Sequence, residues 1–533
     1  MKTFTRNAVA EHILQGQILV IYKSKVLRLN SWIDKHPGGD LAILHFVGRD
    51  ATDEISAYHD DATIEKLLPR FIVGQLDESD SEPFYPLIPP VQLGWRGDKR
   101  EGHTTQAIGR FNGSGNNTED KEIEPHLPKS KFANIPLTMQ ELEPPTPTDE
   151  SLDIKRQFKI SQNYHKLHAE VKRRGLYTIQ SDAYLYECIR YTALLVIFAL
   201  LYFKLEWKVL AAIPLGLFWH QITFVVHDAG HCEIWGSQKT DKTLACFIAS
   251  YIGGLSANWW CDNHDIHHIV TNHPEHDPDI QHIPFFAIST KFFNSMWSTY
   301  YRRVMEFDAF AKLVLPIQWV SKLLPAFVID NYRHNLYYIV MSVARFNLFA
   351  LSYIYLLTKS KNDWYRNFEI VGVSVFWTWY GSLISHIPSH FGKFAFLLLS
   401  NVAASPVHVQ IVLSHFARST DDLGLTESFA HRQLRTTMDV ACPWYLDFLH
   451  GGLHMQVSHH LFPRIPRHNL REVRDMVAKF AAENNLEYAE HGFVAGNGQV
   501  LDVLRNVGEQ VKFVSKVAAS EASQKMHKTA VVQ

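Results

Sequence analysis

Between residues 191 and 417 the chain holds six long stretches without a charged side chain: 191–203, 209–226, 243–261, 346–358 (extending back to about 337), 370–392 and 394–417. A helix needs about 20 mainly apolar residues to cross a bilayer core, so these are candidate spanning segments. One or two such runs also occur as buried helices of soluble proteins, but six in so short a reach predict a polytopic membrane protein. The mean hydropathy of −0.12 hides this, because residues 1–180 and 470–533 are polar. A net charge of −2 implies neither a nucleic acid nor an acidic partner.

The polar parts have their own organisation. Residues 1–76 alternate short β-like runs ("ILVIY", "KVLRL") with short helical ones, as a small α+β domain does. Residues 77–180 are a linker and lead-in: 77–150 is rich in Pro, Gly, Asn and Glu and reads as flexible from 97 to 150, and 151–180 as a charged amphipathic helix. The membrane domain covers 181–475, and 476–533 is a tail with an amphipathic run over 498–516. The five cysteines, Cys188, Cys232, Cys246, Cys261 and Cys442, form no close pair, which argues against a disulfide framework. No secretory signal is recognisable at the N-terminus, so the first domain is expected in the reducing cytosol and the sequons at Asn112 and Asn116 are expected to be unglycosylated.

Thirty histidines are many for this length, and three groups of them share a pattern. "HDAGH" places His227 and His231 at i and i+4, "HDIHH" places His264, His267 and His268 at i, i+3 and i+4, and "QVSHH" repeats that spacing with Gln456, His459 and His460. Each group presents its rings from one helical face. A single H-x-x-x-H is usually a surface coincidence, as "HIPSH" (386–390) illustrates, where Pro388 disturbs the helix. Three groups at the ends of apolar runs are different, because imidazoles at membrane depth are costly unless they share a cavity or a metal. Seven histidines supply about the ligand count of a two-metal site, and such a site suits Fe, Zn or Cu rather than Mg or Ca. Asp228 and Asp265 are the expected acceptors orienting the rings. His415, ending the last apolar run, is the candidate eighth imidazole. Gln456, standing where a first histidine would, is a weaker ligand or a hydrogen-bonding partner of a metal-bound water. His273, His276 and His282, in a Pro- and Asp-rich loop, are expected to be structural.

If the three groups meet, the topology is constrained. With 191–203 and 209–226 as a hairpin, 243–261 must lie at the interface or re-enter, and the same parity argument keeps 394–413 from crossing. Four spans follow: 191–203, 209–226, 337–358 and 370–392. This places "KSKNDWYR" (359–366) on the far side, against the positive-inside rule.

In the first domain "HPGGD" (36–40) holds His36 in a tight turn, and His59 follows after "VGRDATDEISAYH". Two loop imidazoles on opposite walls of an apolar pocket close both axial positions of a haem, leaving an iron that carries electrons. His45 is a rival ligand, expected to face outward from a helix.

These residues carry a resemblance. Residues 8–76 resemble cytochrome b5, which makes His36 and His59 the counterparts of its haem ligands. Residues 181–475 resemble the membrane fatty-acyl and sphingolipid desaturases through "HDAGH", "HDIHH" and "QVSHH". A leading b5 domain with Gln opening the third box is the arrangement of the front-end desaturases, and "HGGLHMQVSHHLFPRIPRHNLR" is most similar to fungal Δ8 sphingolipid desaturases. His454 departs from the Gln or Asn usual there and competes with Gln456 as a ligand. The resemblance implies an α+β haem domain fused to an all-α membrane domain, haem b, a non-haem di-iron centre held by the boxed histidines, and O2 as co-substrate. It also implies a sphingoid or ceramide-type lipid substrate, NADH–cytochrome b5 reductase as electron donor, and the endoplasmic reticulum with haem and metal site on its cytosolic face. A front-end acyl desaturase, a lipid hydroxylase and a non-enzymatic haem or metal carrier share parts of this pattern. The lipid product separates them.

Overall fold

The computed structural model describes residues 2–77, 83–93, 95–96, 99–100, 137–147, 149–280, 287–291, 333–358 and 360–531. Most of the expected flexible linker, both sequons and His282 lie outside the described residues.

The first domain is built on a sheet of four strands, β1 (Thr3–Phe4), β2 (Leu19–Tyr22), β3 (Lys25–Arg28) and β4 (Ile72–Leu76), in the order β1-β4-β3-β2. β2 and β3 are antiparallel around Lys23 and Ser24, both at positive φ, the backbone of a two-residue hairpin matched to strand twist. Short helices cover the sheet, among them α1 (Arg6–Leu14), α2 (Leu41–Leu44) and α3 (Thr52–Tyr58). Their core of Val9, Ile13, Val20, Val26 and Val47 is continuous with Ile266, Ile269 and Val270 of the second histidine box. The two domains therefore pack on one another without a gap.

The charged lead-in forms α4 (Ile154–Arg173). Its buried face, Gln157, Ile160, Tyr164, His168 and Val171, follows the i, i+3, i+4 rule of an amphipathic helix. α5 (Ser181–Ala199, continued to Lys204) runs away from the histidines, and α6 (Lys208–Gly230) returns to them. α7 (Gln238–Cys246) continues as a π turn through Ile252, whose carbonyl accepts from Trp219 Nε1 halfway along α6. α8 (Ala257–Ile269) then turns back. Run 243–261 is re-entrant, as parity requires.

Among the described residues, four helices qualify as spans by length and composition: Asp182–Lys204, Lys208–Gly230, Leu336–Thr358 and His390–Phe416. Contacts redraw which of the apolar runs reach from one face to the other. α9 (Arg333–Thr358) has Tyr337 in a cluster with Val412, Leu413 and Val500 on the histidine side, while Lys361 beyond its other end donates to the carbonyl of Asp34 in the first domain. Both ends are on the histidine face. α10 (Trp364–Ser385) does cross: Leu383 O accepts from Tyr202, and Lys208 at the α5–α6 turn bonds His386 O. α11 (His390–Ala404) and α12 (Pro406–Phe416) run beside α6 from the far face, with Gly392 near Val209, Ser400 O against Gly216, and His220 bonding Gln410. The expectation that 337–358 crosses and 394–413 does not is thus reversed. Residues 360–366 lie at the histidine face rather than on the far side.

Beyond α12 the chain forms α13 (Phe429–Thr436), strand β5 (Asp439–Ala441), α14 (Asp447–His450), α15 (Gln456–Leu461) and α16 (Leu470–Glu483), the last running through residue 475. Strand β6 (Glu490–Gly492) pairs parallel with β5. The C-terminal α17 (Phe493–Val531) buries Val500 and Leu504 against Leu413 and Met438, so the amphipathic run is a support of α12.

Candidate metal and haem sites

In the first domain His36 leaves a tight turn and His59 caps the end of α3, so the two rings face each other with centroids 6.1 Å apart. Nitrogen–metal bonds of about 2.0–2.1 Å on each side, plus the ring radii, give a span of this size, so one metal atom fits between them. Each ring spends Nδ1 on a backbone carbonyl, His36 on Gly39 at 2.9 Å and His59 on Ile55 at 3.1 Å, which leaves Nε2 of both for a metal. Burial lowers the pKa of both, that of His59 to about 4, keeping the rings neutral as ligands must be. His45 is buried rather than outward-facing: it meets Gln92 and packs against His276 of the membrane domain.

The three boxes converge. His227 and His231 from the end of α6, His264 from α8 and His459 from α15 bring four nitrogens within 4.8 Å of one another, and His267, His415 and His460 form a second such group. His268 lies between them, stacked on His460 at 4.2 Å and 4.7 Å from His231. Buried Nε2 atoms of His227, His231, His459 and His460, Nδ1 of His268 and His415, and Oε1 of Gln456 have no hydrogen-bond partner among the described residues. Buried polar atoms are ordinarily paired, so this many orphans within one cluster of imidazoles fit a pair of metal ions. Burial, reinforced by neighbouring imidazoles, holds His264, His268, His459 and His460 far below the ordinary histidine range and therefore neutral.

The orienting groups differ from the sequence expectation. Asp228 accepts from Tyr184 (2.6 Å) and from Arg467 (2.5 Å), and its other oxygen stands 3.7 Å from His227 Nδ1, too far for a hydrogen bond. Asp265 turns toward the first domain, where a Cβ on Gly38 would lie 3.3 Å from its Oδ2. Asp277 and Asp279, in the loop after the second box, do the orienting, pairing with Nδ1 of His267 (2.7 Å) and of His264 (2.9 Å). Gln433 Oε1 pairs with His460 Nδ1 at 3.1 Å, and Gln433 Nε2 donates to the His268 carbonyl at 2.8 Å. Reading the sequence missed all three. For the aspartates the acidic "HDPD" beside a histidine box was an available signal; for Gln433 there was none.

Gln456 and His454 separate clearly. Gln456 lines a cavity of about 50 Å3 with His227, His264, His267 and His415, whose apolar wall includes Val412 and Leu453. His454 points elsewhere, its Nε2 3.1 Å from Asp447 Oδ1. The glycines before the third box are needed for this turn. Gly451 has φ +56°, and a Cβ there would lie 2.1 Å from the ring of Phe224, one turn before His227. His386, in the excluded pair, lies at the far face bonded to Ser382 O.

A bundle of apolar helices that gathers eight imidazoles and an amide into one cluster, with two groups able to hold a metal ion, beneath a domain with two opposed histidines, defines a membrane oxidoreductase of the polyhistidine class joined to an electron-carrier domain. The fatty acid desaturase family matches residues 205–492, and the cytochrome b5-like heme/steroid binding domain matches residues 5–77. The Delta 8-(E)-sphingolipid desaturase of Kluyveromyces lactis is 40% identical, over 96% of this chain and 93% of its own length. That of Komagataella phaffii is 41% identical over 95% and 94%, and the Delta(8)-fatty-acid desaturase 2 of Arabidopsis thaliana is 29% identical over 95% and 94%. The chain belongs to the fatty acid desaturase family.

Proposed function

We propose that the protein introduces a double bond, at the Δ8 position, into the sphingoid long-chain base of a ceramide-type lipid. The observation that carries this is the pair of histidine groups with unpartnered nitrogens, opening on a cavity with an apolar wall, in a chain similar along nearly its whole length to fungal sphingolipid desaturases. His227, His231, His264 and His459 hold one iron and His267, His415 and His460 the other, with His268 between them and Gln456 at the open side. His36 and His59 hold haem b. With O2 and electrons, a di-iron centre supplies the oxidising power to remove hydrogen from methylenes, whose protons no side-chain base can take. The chain's own residues orient the ligands through Asp277, Asp279 and Gln433, and Val412 and Leu453 give the methylene chain an apolar wall. NADH–cytochrome b5 reductase is the upstream donor, and the endoplasmic reticulum the site, with both metal centres facing the cytosol.

Expression in a fungal host lacking long-chain-base desaturation, followed by mass spectrometry of long-chain bases, tests this. A base lighter by two hydrogens is expected. A new double bond confined to acyl chains, or a product gaining oxygen, overturns the substrate or the reaction.

A further inference from the structure

One side chain at the contact between the two domains, Tyr58, reaches from one redox site toward the other. Tyr58 is the last residue of α3 and is peptide-bonded to His59. Its hydroxyl crosses the domain boundary and donates to the carbonyl oxygen of His268 at 3.0 Å, and its ring stands edge-on to the His268 ring at 6.2 Å. His268 is the imidazole lying between the two metal groups, stacked on His460 and 4.7 Å from His231. The same carbonyl accepts from Gln433, whose side-chain oxygen pairs with His460. A continuous route thus runs from His59 through the Tyr58 side chain and one hydrogen bond to the backbone of His268, then to both halves of the histidine cluster. Asp60, the residue after His59, faces Arg464 at 3.6 Å, beyond hydrogen-bond length. His45 packs on His276, away from the facing rings of His36 and His59, and the approach of Gly38 to Asp265 is a non-bonded contact with a carboxylate that pairs with none of the boxed histidines.

We propose that Tyr58 is the electronic bridge between the haem and the di-iron site. This rests on the desaturase reading above. Each passage oxidises ferrous haem by one electron and reduces the histidine-held pair by one. Two passages and two protons, with O2 and two hydrogens from the lipid, yield one double bond and two waters. Tyr58 is a coupling residue: it binds neither metal nor lipid, and its hydroxyl shortens the path that an electron must cover through non-bonded space.

The test uses the full-length holoprotein in lipid nanodiscs, reduced anaerobically and mixed with O2 and a ceramide, with haem reoxidation followed by absorbance. Tyr58→Phe keeps the ring and removes only the hydroxyl. It is expected to reoxidise several-fold more slowly, with haem spectrum, haem midpoint potential and iron content unchanged and a rate insensitive to added viscogen. Reoxidation at the wild-type rate overturns the bridge. So does a Tyr58→Phe rate that becomes viscosity-dependent, because the hydroxyl is then a latch holding the domains together. If wild-type haem is reoxidised no faster in the iron-loaded than in the iron-depleted protein, the desaturase electron path itself fails, and the bridge with it.

Discussion

Gln433 shows how much of the metal site depends on side chains that no spacing rule marks. Its amide oxygen accepts and its amide nitrogen donates, so it fixes His460 with Nδ1 as the hydrogen-bond donor and Nε2 toward the cluster, while tying down the backbone of His268. Partners of this kind typically change metal affinity by about 10–100-fold. Gln433→Leu is therefore expected to lower iron affinity into that range, read by chelator competition on purified protein, with the haem spectrum unaltered. The complementary residue-scale prediction separates the two cofactors. His36→Ala is expected to abolish the haem absorbance and desaturation in cells lacking free cytochrome b5, whereas His459→Ala loses desaturation and keeps the haem. A His36→Ala protein still active in such cells removes the fused domain from the electron path. The boxed histidines were legible in the sequence because helical spacing puts them on one face without reference to anything distant. Gln433 was not, since its role exists only once α13 lies against α8 and α15.

Among elements, α8 decides whether the second box meets the others, and its start is held by a carboxylate from a neighbouring helix. Glu369 on α10 accepts from Ala257 N (2.6 Å) and Asn258 N (3.2 Å) with one oxygen, and from Ser256 Oγ (2.9 Å) and Asn258 Nδ2 (2.8 Å) with the other. A carboxylate at a helix N-terminus satisfies donors that have no partner within the helix and complements its dipole. Glu369→Ala leaves these buried donors bare, at roughly 1–3 kcal/mol for each one left unsatisfied. The expected result is a lower unfolding temperature together with reduced iron content; a drop in stability with full iron occupancy would show that α8 does not need this anchor. Glu369→Gln retains an acceptor and should lose less. Uncharged length offered all six runs as spans, and parity then kept 337–358 and dropped 394–413, because neither can see where a helix's two ends go. The parity argument correctly demanded an even number of crossings between boxes, but α9 satisfies it by keeping both ends at the histidine face. The broken pair α11–α12, interrupted at Ser405 and Pro406, supplies the return.

At the scale of the molecule, the first domain is held to the membrane domain by an apolar seam and a ring of carboxylates. Ile266, Ile269 and Val270 extend its core, while Asp61 meets Lys172 (2.6 Å), Asp60 faces Arg464 (3.6 Å), and Asp53 accepts from Ser161 (2.8 Å) and His165 (2.5 Å). These pairings are not visible in the sequence, since the cations that meet the carboxylates lie about a hundred or more residues away. The exposed pairs are individually weak and screened by salt, but the Asp53–His165 contact makes the docking titratable. The hydrogen bond that His165 donates to Asp53 raises the His165 pKa, opposed by partial burial and aided by the charges of Asp53 and Asp50, with Lys23 acting against them. A raised pKa means that the docked form favours the protonated ring. Its contribution is therefore complete below the unperturbed value of about 6.5 and is lost as pH rises through the higher docked value. Hydrogen exchange in α3 and α4 is expected to quicken as pH is raised across that range, after correction for intrinsic exchange, and His165→Gln should flatten the dependence while the apolar seam keeps the domains together. An equal pH response in His165→Gln and wild type would assign the titration to another group. Loss of docking at every pH in the variant would mean that the carboxylate ring, rather than the seam, carries the interface.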